Sequence, residues 1–211
     1  MSADSDTSWF EPLYEAAAGD ASRVPWARLA PRAALLRWAD ARAGAGAGRS
    51  AVVIGAGLGD DAEELAGRGF TVTAFDIAPS AVAWARRRFP GSAVDYVVAD
   101  LAALPAAWAG SFDLVFESYT LQSVPAGLRA RLVPAVARLV APGGTLVVVA
   151  IVREPDEPTD GPPWFLTYDE LAAFERLGLE RAWADETPDR LSTGTPVRVA
   201  TLELRRPAAA A

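Results

Sequence analysis

The 211-residue chain contains no cysteine, no histidine and no lysine. These absences exclude a thiolate nucleophile, an imidazole base, a Schiff-base or P-loop lysine and any Cys/His zinc site. Reactivity must then come in with a cofactor, or rest on carboxylates, hydroxyls and positioning, and no metal is expected. Disulfides are excluded as well. Basic residues are few: 20 bases, all Arg, face 27 acids, giving a net charge of −7 and an isoelectric point near 4.7. No nucleic-acid partner is expected, because phosphate binding needs a basic face. Long apolar runs are also missing. The longest, Leu146 to Val152, falls far short of the roughly 20 residues a membrane helix needs. The acidic start MSADSDTSWF lacks the basic and apolar regions of a signal peptide. A cytoplasmic location without a membrane partner is therefore expected.

What the chain does contain is enough apolar sequence, 51%, for the core of one globular domain. Residues 1–48 read as an N-terminal helical and aromatic segment that ends in a hinge, AGAGAG at Ala43 to Gly48. From 49 to 206 short β-forming runs alternate with helical patterns. The strand candidates are Ala51 to Ile54, Thr71 to Phe75, Val94 to Val98, Phe112 to Phe116 and Thr145 to Val152. Such alternation predicts an α/β fold with a mostly parallel sheet covered on both faces. Leu179 to Trp183 and Pro196 to Leu204 are two further strands, joined by a connection too short for a long helix and so expected to be antiparallel. Pro134 predicts a kink or break in the helix containing Leu128, Leu132 and Val136. Thr167 with Glu170 spells a capping box. Arg86 to Arg88 read as a solvated helix end, and residues 207–211 as a frayed tail.

The first strand runs into VVIGAGLGD, Val52 to Asp60, and then directly into a helix. Gly55, Gly57 and Gly59 thus fall at the carboxyl edge of the sheet, where α/β proteins bind ligands. A dinucleotide loop wants a small third residue where this chain has Asp60, and Asp60 with Asp61 would repel a pyrophosphate. A G-x-G-x-G loop followed by acids suits a ligand with positive charge and no phosphate, such as S-adenosylmethionine. Asp76 ends the second strand, 21 residues after Gly55, where a carboxylate can accept both ribose hydroxyls. Asp100 follows the third strand with Leu101 beside it, placed to meet an adenine edge. Either acid alone is more often a turn residue. In order, at successive strand ends, the set points to adenosine binding.

On these segments, with FDIAPSAVAWA, VVADL and APGGTLVVV, the chain resembles the class I S-adenosylmethionine-dependent methyltransferases from about Ala51 to Leu204. SWFEPLYE with Trp26, FESYTLQSVP and DGPPWFLTYDEL are similar to the thiopurine-methyltransferase-like small-molecule branch. The resemblance implies a Rossmann-like doubly wound seven-stranded sheet of order 3-2-1-4-5-7-6, its last strand antiparallel, with an N-terminal helical cap and a methyltransferase domain over 49–206. It implies cofactor contacts at Gly55, Ala56, Gly57, Gly59, Asp76, Ile77, Asp100, Leu101, Glu117 and Trp26, with Trp9, Phe10 and Tyr14 as further lid candidates. An equal alternative is that these aromatics staple the leading helices to the domain. Relatives often carry Cys or Ser at Ala56, and Ser at Ala78, so a helix cap is missing here. The strand-four end carries Glu117 and no Asn-Pro-Pro-Tyr sequence, which disfavours nucleobase or glutamine nitrogen as the acceptor.

The expected activity is in-line methyl transfer from S-adenosylmethionine to a small-molecule acceptor, leaving S-adenosylhomocysteine. Glu117 and Tyr119 are the candidate catalytic pair, Glu117 taking a proton or steadying the sulfonium and Tyr119 shaping the pocket. Glu117 acting only as a cofactor contact or a loop cap is the other reading. Arg153 is a candidate anion selector or a solvated strand end. Two alternatives stand beside this activity: a nicotinamide- or flavin-dependent oxidoreductase on a related fold, and a non-catalytic cofactor-binding protein. The acceptor atom and the oligomeric state are left open.

Overall fold

In the computed structural model, the described residues are 7–44, 46–158, 160–191 and 193–209. The readings made on residues 1–6, on Ala45 in the hinge and on the last two residues of the tail lie outside them. The chain divides into two compact units, Thr7–Leu104 and Pro105–Ala211.

The first unit contains α1 (Phe10–Ala17), α2 (Ala33–Trp38), β1 (Ser50–Ile54), α3 (Asp60–Gly67), β2 (Thr71–Asp76), α4 (Pro79–Arg88) and β3 (Asp95–Val98). β1 pairs in parallel with β2, and β2 with β3. Ala51 to Ile54 are all buried, as expected for a parallel strand covered on both faces. The two crossover helices turn small or branched apolar residues inward: Ala62 and Leu65 on α3, Ala81, Val82 and Ala85 on α4. Pro79 opens α4 at the position where a missing N–H costs least.

The second unit contains β4 (Phe112–Ser118), α5 (Ala126–Leu139), β5 (Val140–Val152), α6 (Tyr168–Leu171), α7 (Ala173–Arg176), β6 (Glu180–Arg190) and β7 (Pro196–Arg205). β4 pairs in parallel with β5, whereas β7 runs antiparallel to both β5 and β6. All seven strands form one sheet in the order β3-β2-β1-β4-β5-β7-β6, as the resemblance implied. Among the described residues no helix is long and apolar enough to cross a membrane.

Two expectations are corrected. Pro134 neither breaks nor ends α5, which runs unbroken from Ala126 to Leu139. The carbonyl that loses its partner belongs to Ala130, and both Pro134 and Ala130 are exposed, so water can satisfy it. The connection after Trp183 is largely strand, because β6 continues to Arg190 and pairs Pro188 with Arg198. A proline is tolerated there since β6 is the edge of the sheet and the missing donor would face outward.

Candidate functional site

In the first unit the glycine bend, the second-strand acid and the N-terminal aromatics come together. Ala56 N–H donates to the Phe75 carbonyl at 2.9 Å, tying the bend to the end of β2. Asp76 closes it: one carboxylate oxygen accepts Gly57 N–H at 2.9 Å and the other accepts Ala78 N–H at 3.0 Å. Burial pushes the Asp76 carboxyl up in pKa, and these backbone donors pull it partly back. Gly57 has φ +53°, and a Cβ there would lie 3.2 Å from the Tyr14 hydroxyl. Trp26 Nε1 donates to that hydroxyl at 2.8 Å, and Trp26 meets Trp9, Phe10 and Tyr14 edge-on at centroid distances of 5.7, 6.2 and 5.8 Å. The aromatic segment thus staples α1 and lies against the bend. Gly59 answers a different need: a Cβ there would come within 2.5 Å of the Tyr96 hydroxyl. Gly55 is exposed, Ala56 and Ile77 are half-buried and Leu101 is buried. Asp100 is exposed and its Oδ1 accepts Ala102 N–H at 2.8 Å, the turn role its residue type favours. Ala99 N–H donates to the Asp76 carbonyl at 3.0 Å, so the two strand-end acids stand on adjacent strands.

The two acids at the head of α3 are both held by partners within the first unit, contrary to their reading as an attraction for a cationic ligand. Asp60 is paired in bidentate fashion with Arg88 at 2.7 and 2.8 Å, and Arg88 also donates to the Leu58 carbonyl at 2.6 Å. Asp61 is half-buried, accepts Arg32 N–H at 2.7 Å and has its pKa raised to about 6, mainly by desolvation. Neither acid offers its charge to a ligand. Arg88 is accordingly not a solvated helix end but a brace of the glycine bend, and Arg86 donates to the Tyr96 carbonyl. The cap missing at Ala78 is supplied from α1. Glu11 accepts Ser80 N–H at 3.0 Å and the Ser80 hydroxyl at 2.6 Å.

In the second unit the end of β4 carries the buried acid expected there. Glu117 Oε1 accepts two backbone donors, Thr120 N–H at 2.7 Å and Leu121 N–H at 3.0 Å. Its Oε2 is buried without a partner. Desolvation raises the Glu117 pKa to about 7, against the lowering effect of those two N–H groups and of Arg129. Tyr119 follows with φ +65°, a conformation that costs an aromatic residue roughly 1 kcal/mol or more and clusters at functional sites. Arg153 is half-buried, with its Nε and Nη1 held by backbone carbonyls. Its Nε donates to the Phe165 carbonyl at 3.1 Å, and its Nη1 meets the carbonyls of Glu154, Pro155 and Glu157 at 3.0, 3.2 and 2.9 Å. The Thr167–Glu170 capping box forms as expected. Sequence reasoning missed Arg129 and Gln122. Gln122 Oε1 accepts Ile151 N–H at 2.8 Å and its carbonyl accepts Trp164 N–H at 2.6 Å. Among the described residues no group of three or more acids could hold a metal ion.

Comparison with known proteins bears on this geometry. Residues 52–148 match the family described as Methyltransferase domain. A ubiquinone biosynthesis O-methyltransferase from Thiobacillus denitrificans is 40% identical over 111 residues, 52% of this chain and 47% of that protein. One from Pseudomonas aeruginosa is 38% identical over 122 residues, 57% of this chain and 51% of that protein. The chain thus spans about half the length of these curated relatives. A solved structure concerned with the conversion of a disulfide bond into a thioacetal group during echinomycin biosynthesis is 26% identical, with TM-score 0.70, and covers 88% of this chain and 87% of its own. Magnesium protoporphyrin IX methyltransferase from Synechocystis, solved with bound S-adenosylhomocysteine, shares the fold at TM-score 0.73 and 17% identity, over 95% of this chain and 100% of that one.

Proposed function

We propose, from the premise that this chain carries a methyltransferase domain of the S-adenosylmethionine-dependent class, that the protein methylates an O–H or S–H group on a small molecule. The observation that carries the acceptor chemistry is the buried, unpartnered Oε2 of Glu117. A buried carboxylate oxygen without a partner costs free energy, and an acceptor hydroxyl or thiol brings the donor that would relieve it. The residues present also fit the cofactor: exposed backbone at Gly55 lets a nucleoside lie close. The Asp76 carboxylate accepts Gly57, Ala78 and Ile77 N–H, and a carboxylate offers about four lone-pair sites, which leaves acceptor capacity for a ribose hydroxyl.

Gly55, Ala56, Gly57, Gly59, Asp76, Ile77, Asp100 and Leu101 would hold the cofactor, with Trp26 and Tyr14 over the bend. When bound, S-adenosylmethionine supplies a methyl group on an already activated leaving group, so little further activation is required of the protein. Alignment and exclusion of water remain. The half-buried aromatic stretch Trp164–Phe165 suits a small apolar acceptor rather than a macromolecule. Glu117, poised near neutrality, takes the proton that an O–H or S–H must lose, and Tyr119 shapes the space beside it. The relatives' names speak of O-methyl transfer and of a disulfide becoming a thioacetal. Oxygen and sulfur are thus the first acceptor atoms to try, and the sulfur option is where the thiopurine-like local segments also point.

Calorimetric titration comes first: micromolar binding of S-adenosylhomocysteine with none of NADH is expected, and the reverse would favour the oxidoreductase alternative. A panel of phenols and thiols with radiolabelled donor then finds the acceptor. Glu117→Gln should bind S-adenosylhomocysteine as before and lose roughly a hundredfold in turnover. Unchanged turnover removes Glu117 from the chemistry.

A further inference from the structure

Arg129 lies on α5 and is 4% exposed. Desolvation of its guanidinium is a cost that an apolar side chain at this helix position would avoid, and its hydrogen bonds offset it. Nε donates to the Leu121 carbonyl at 2.9 Å. Nη2 donates to the Trp164 carbonyl at 3.1 Å and to the Val124 carbonyl at 3.3 Å. Nη1 is bonded to Glu170 Oε1, while Glu170 Oε2 accepts Thr167 N–H at 2.8 Å and closes the capping box.

Leu121 connects this network to the buried acid. Its N–H is one of the two that hold Glu117 Oε1, and its carbonyl is the one held by Arg129. One side chain therefore steadies the turn that aims Glu117, the backbone of the aromatic stretch at Trp164 and the first turn of α6. Arg129 is also the charged group whose field lowers the proton affinity of Glu117. Behind it stand Glu170 from α6, opposing its charge, and Arg153 from the end of β5, adding to it.

We propose that Arg129 is a positioning residue that aims Glu117, brings a positive charge to the turn that holds it and fastens the Trp164 segment to the same turn. Acceptor seating at Trp164 and proton uptake at Glu117 are then coupled through one guanidinium. The catalytic consequence rests on Glu117 being the proton acceptor, as proposed above, whereas the electrostatic consequence does not.

The test follows the protonated-carboxyl infrared band of Glu117, identified by its loss in Glu117→Gln, as pH is varied with S-adenosylhomocysteine present. Arg129→Met combined with Glu170→Gln removes both charges of the pair and leaves neither stranded. Its Glu117 midpoint should rise by roughly one unit. Glu170→Gln alone, a half-buried change that spares the arginine, should move the midpoint the other way. Arg129→Lys keeps the charge but not the planar fork. It should hold the midpoint, yet raise KM and lower kcat for the acceptor by roughly tenfold or more at unchanged affinity for S-adenosylhomocysteine. A midpoint that stays put in Glu170→Gln, and in the double variant where that folds, overturns the proposal. Failure of the parent protein to bind S-adenosylhomocysteine would instead defeat the methyltransferase reading, and the midpoints would still decide the role of Arg129.

Discussion

Gly57 shows how much one side chain's absence can determine. Its φ of +53° penalises any L-residue by roughly 1–2 kcal/mol, and a Cβ would press on the Tyr14 hydroxyl at 3.2 Å. Gly91 has φ +86°, and a Cβ there would meet nothing within 4 Å, so it isolates the conformational cost. Gly57→Ala and Gly91→Ala should therefore each lower stability by about 1–2 kcal/mol in urea unfolding. Only Gly57→Ala should also weaken S-adenosylhomocysteine binding in calorimetry, by tenfold or more; equal affinities would mean that the bend does not face the cofactor. Gly57, Asp76 and Glu117 were legible in the sequence because each sits at a strand end, where topology decides what a side chain can reach. Arg88, Arg129 and Asp61 were not. Their partners lie 28, 41 and 29 residues away, and the sequence carries no local signal of where a long charged side chain will be neutralised. Reading Asp60 and Asp61 as an attraction for a cation failed for that reason.

At the scale of elements, periodicity and punctuation located all seven strands, and the errors lie where a tertiary or edge effect overrode a local rule. Pro134 is tolerated because solvent reaches the carbonyl it orphans, and Pro188 because β6 has an open side. The head of α4 is a third case. Ala78 offers no side-chain cap, and the sequence signal for a helix start is correspondingly weak, yet Glu11 caps Ser80 across 69 residues. This long-range cap joins α1 to α4 as well as satisfying backbone donors. Glu11→Ala should lower stability by about 1 kcal/mol, the usual cost of losing an N-terminal cap. In a double-mutant cycle with Ser80→Ala, urea midpoints should return a coupling of comparable size. Additive single effects would mean that the cap contributes nothing beyond its separate parts.

For the molecule as a whole, desolvated acids set the response to pH, and the effect runs opposite to ordinary acid denaturation. Asp61 is raised from 3.8 to about 6 and Glu117 from 4.5 to about 7, both chiefly by desolvation. Asp76 is displaced in the same direction. An acid whose folded pKa exceeds its unfolded value is deprotonated first in the unfolded chain, so between the two values rising pH favours unfolding. For these groups the stabilising contribution is complete below about pH 4, declines between about 4 and 7 and is gone above that range. Together they carry a change on the order of a few kcal/mol. Self-repulsion of a chain with net charge −7 acts in the same direction, but salt screens it, whereas buried groups are screened much less. Urea unfolding in high salt should therefore still give a higher midpoint at pH 5 than at pH 8. The combined variant Asp61→Asn with Glu117→Gln should flatten most of that slope, provided each amide keeps an acceptor oxygen toward the backbone N–H groups the acids now hold. A slope of the same size in the variant would place its origin in surface charge, and a midpoint that rises with pH would contradict the desolvation of both carboxyls.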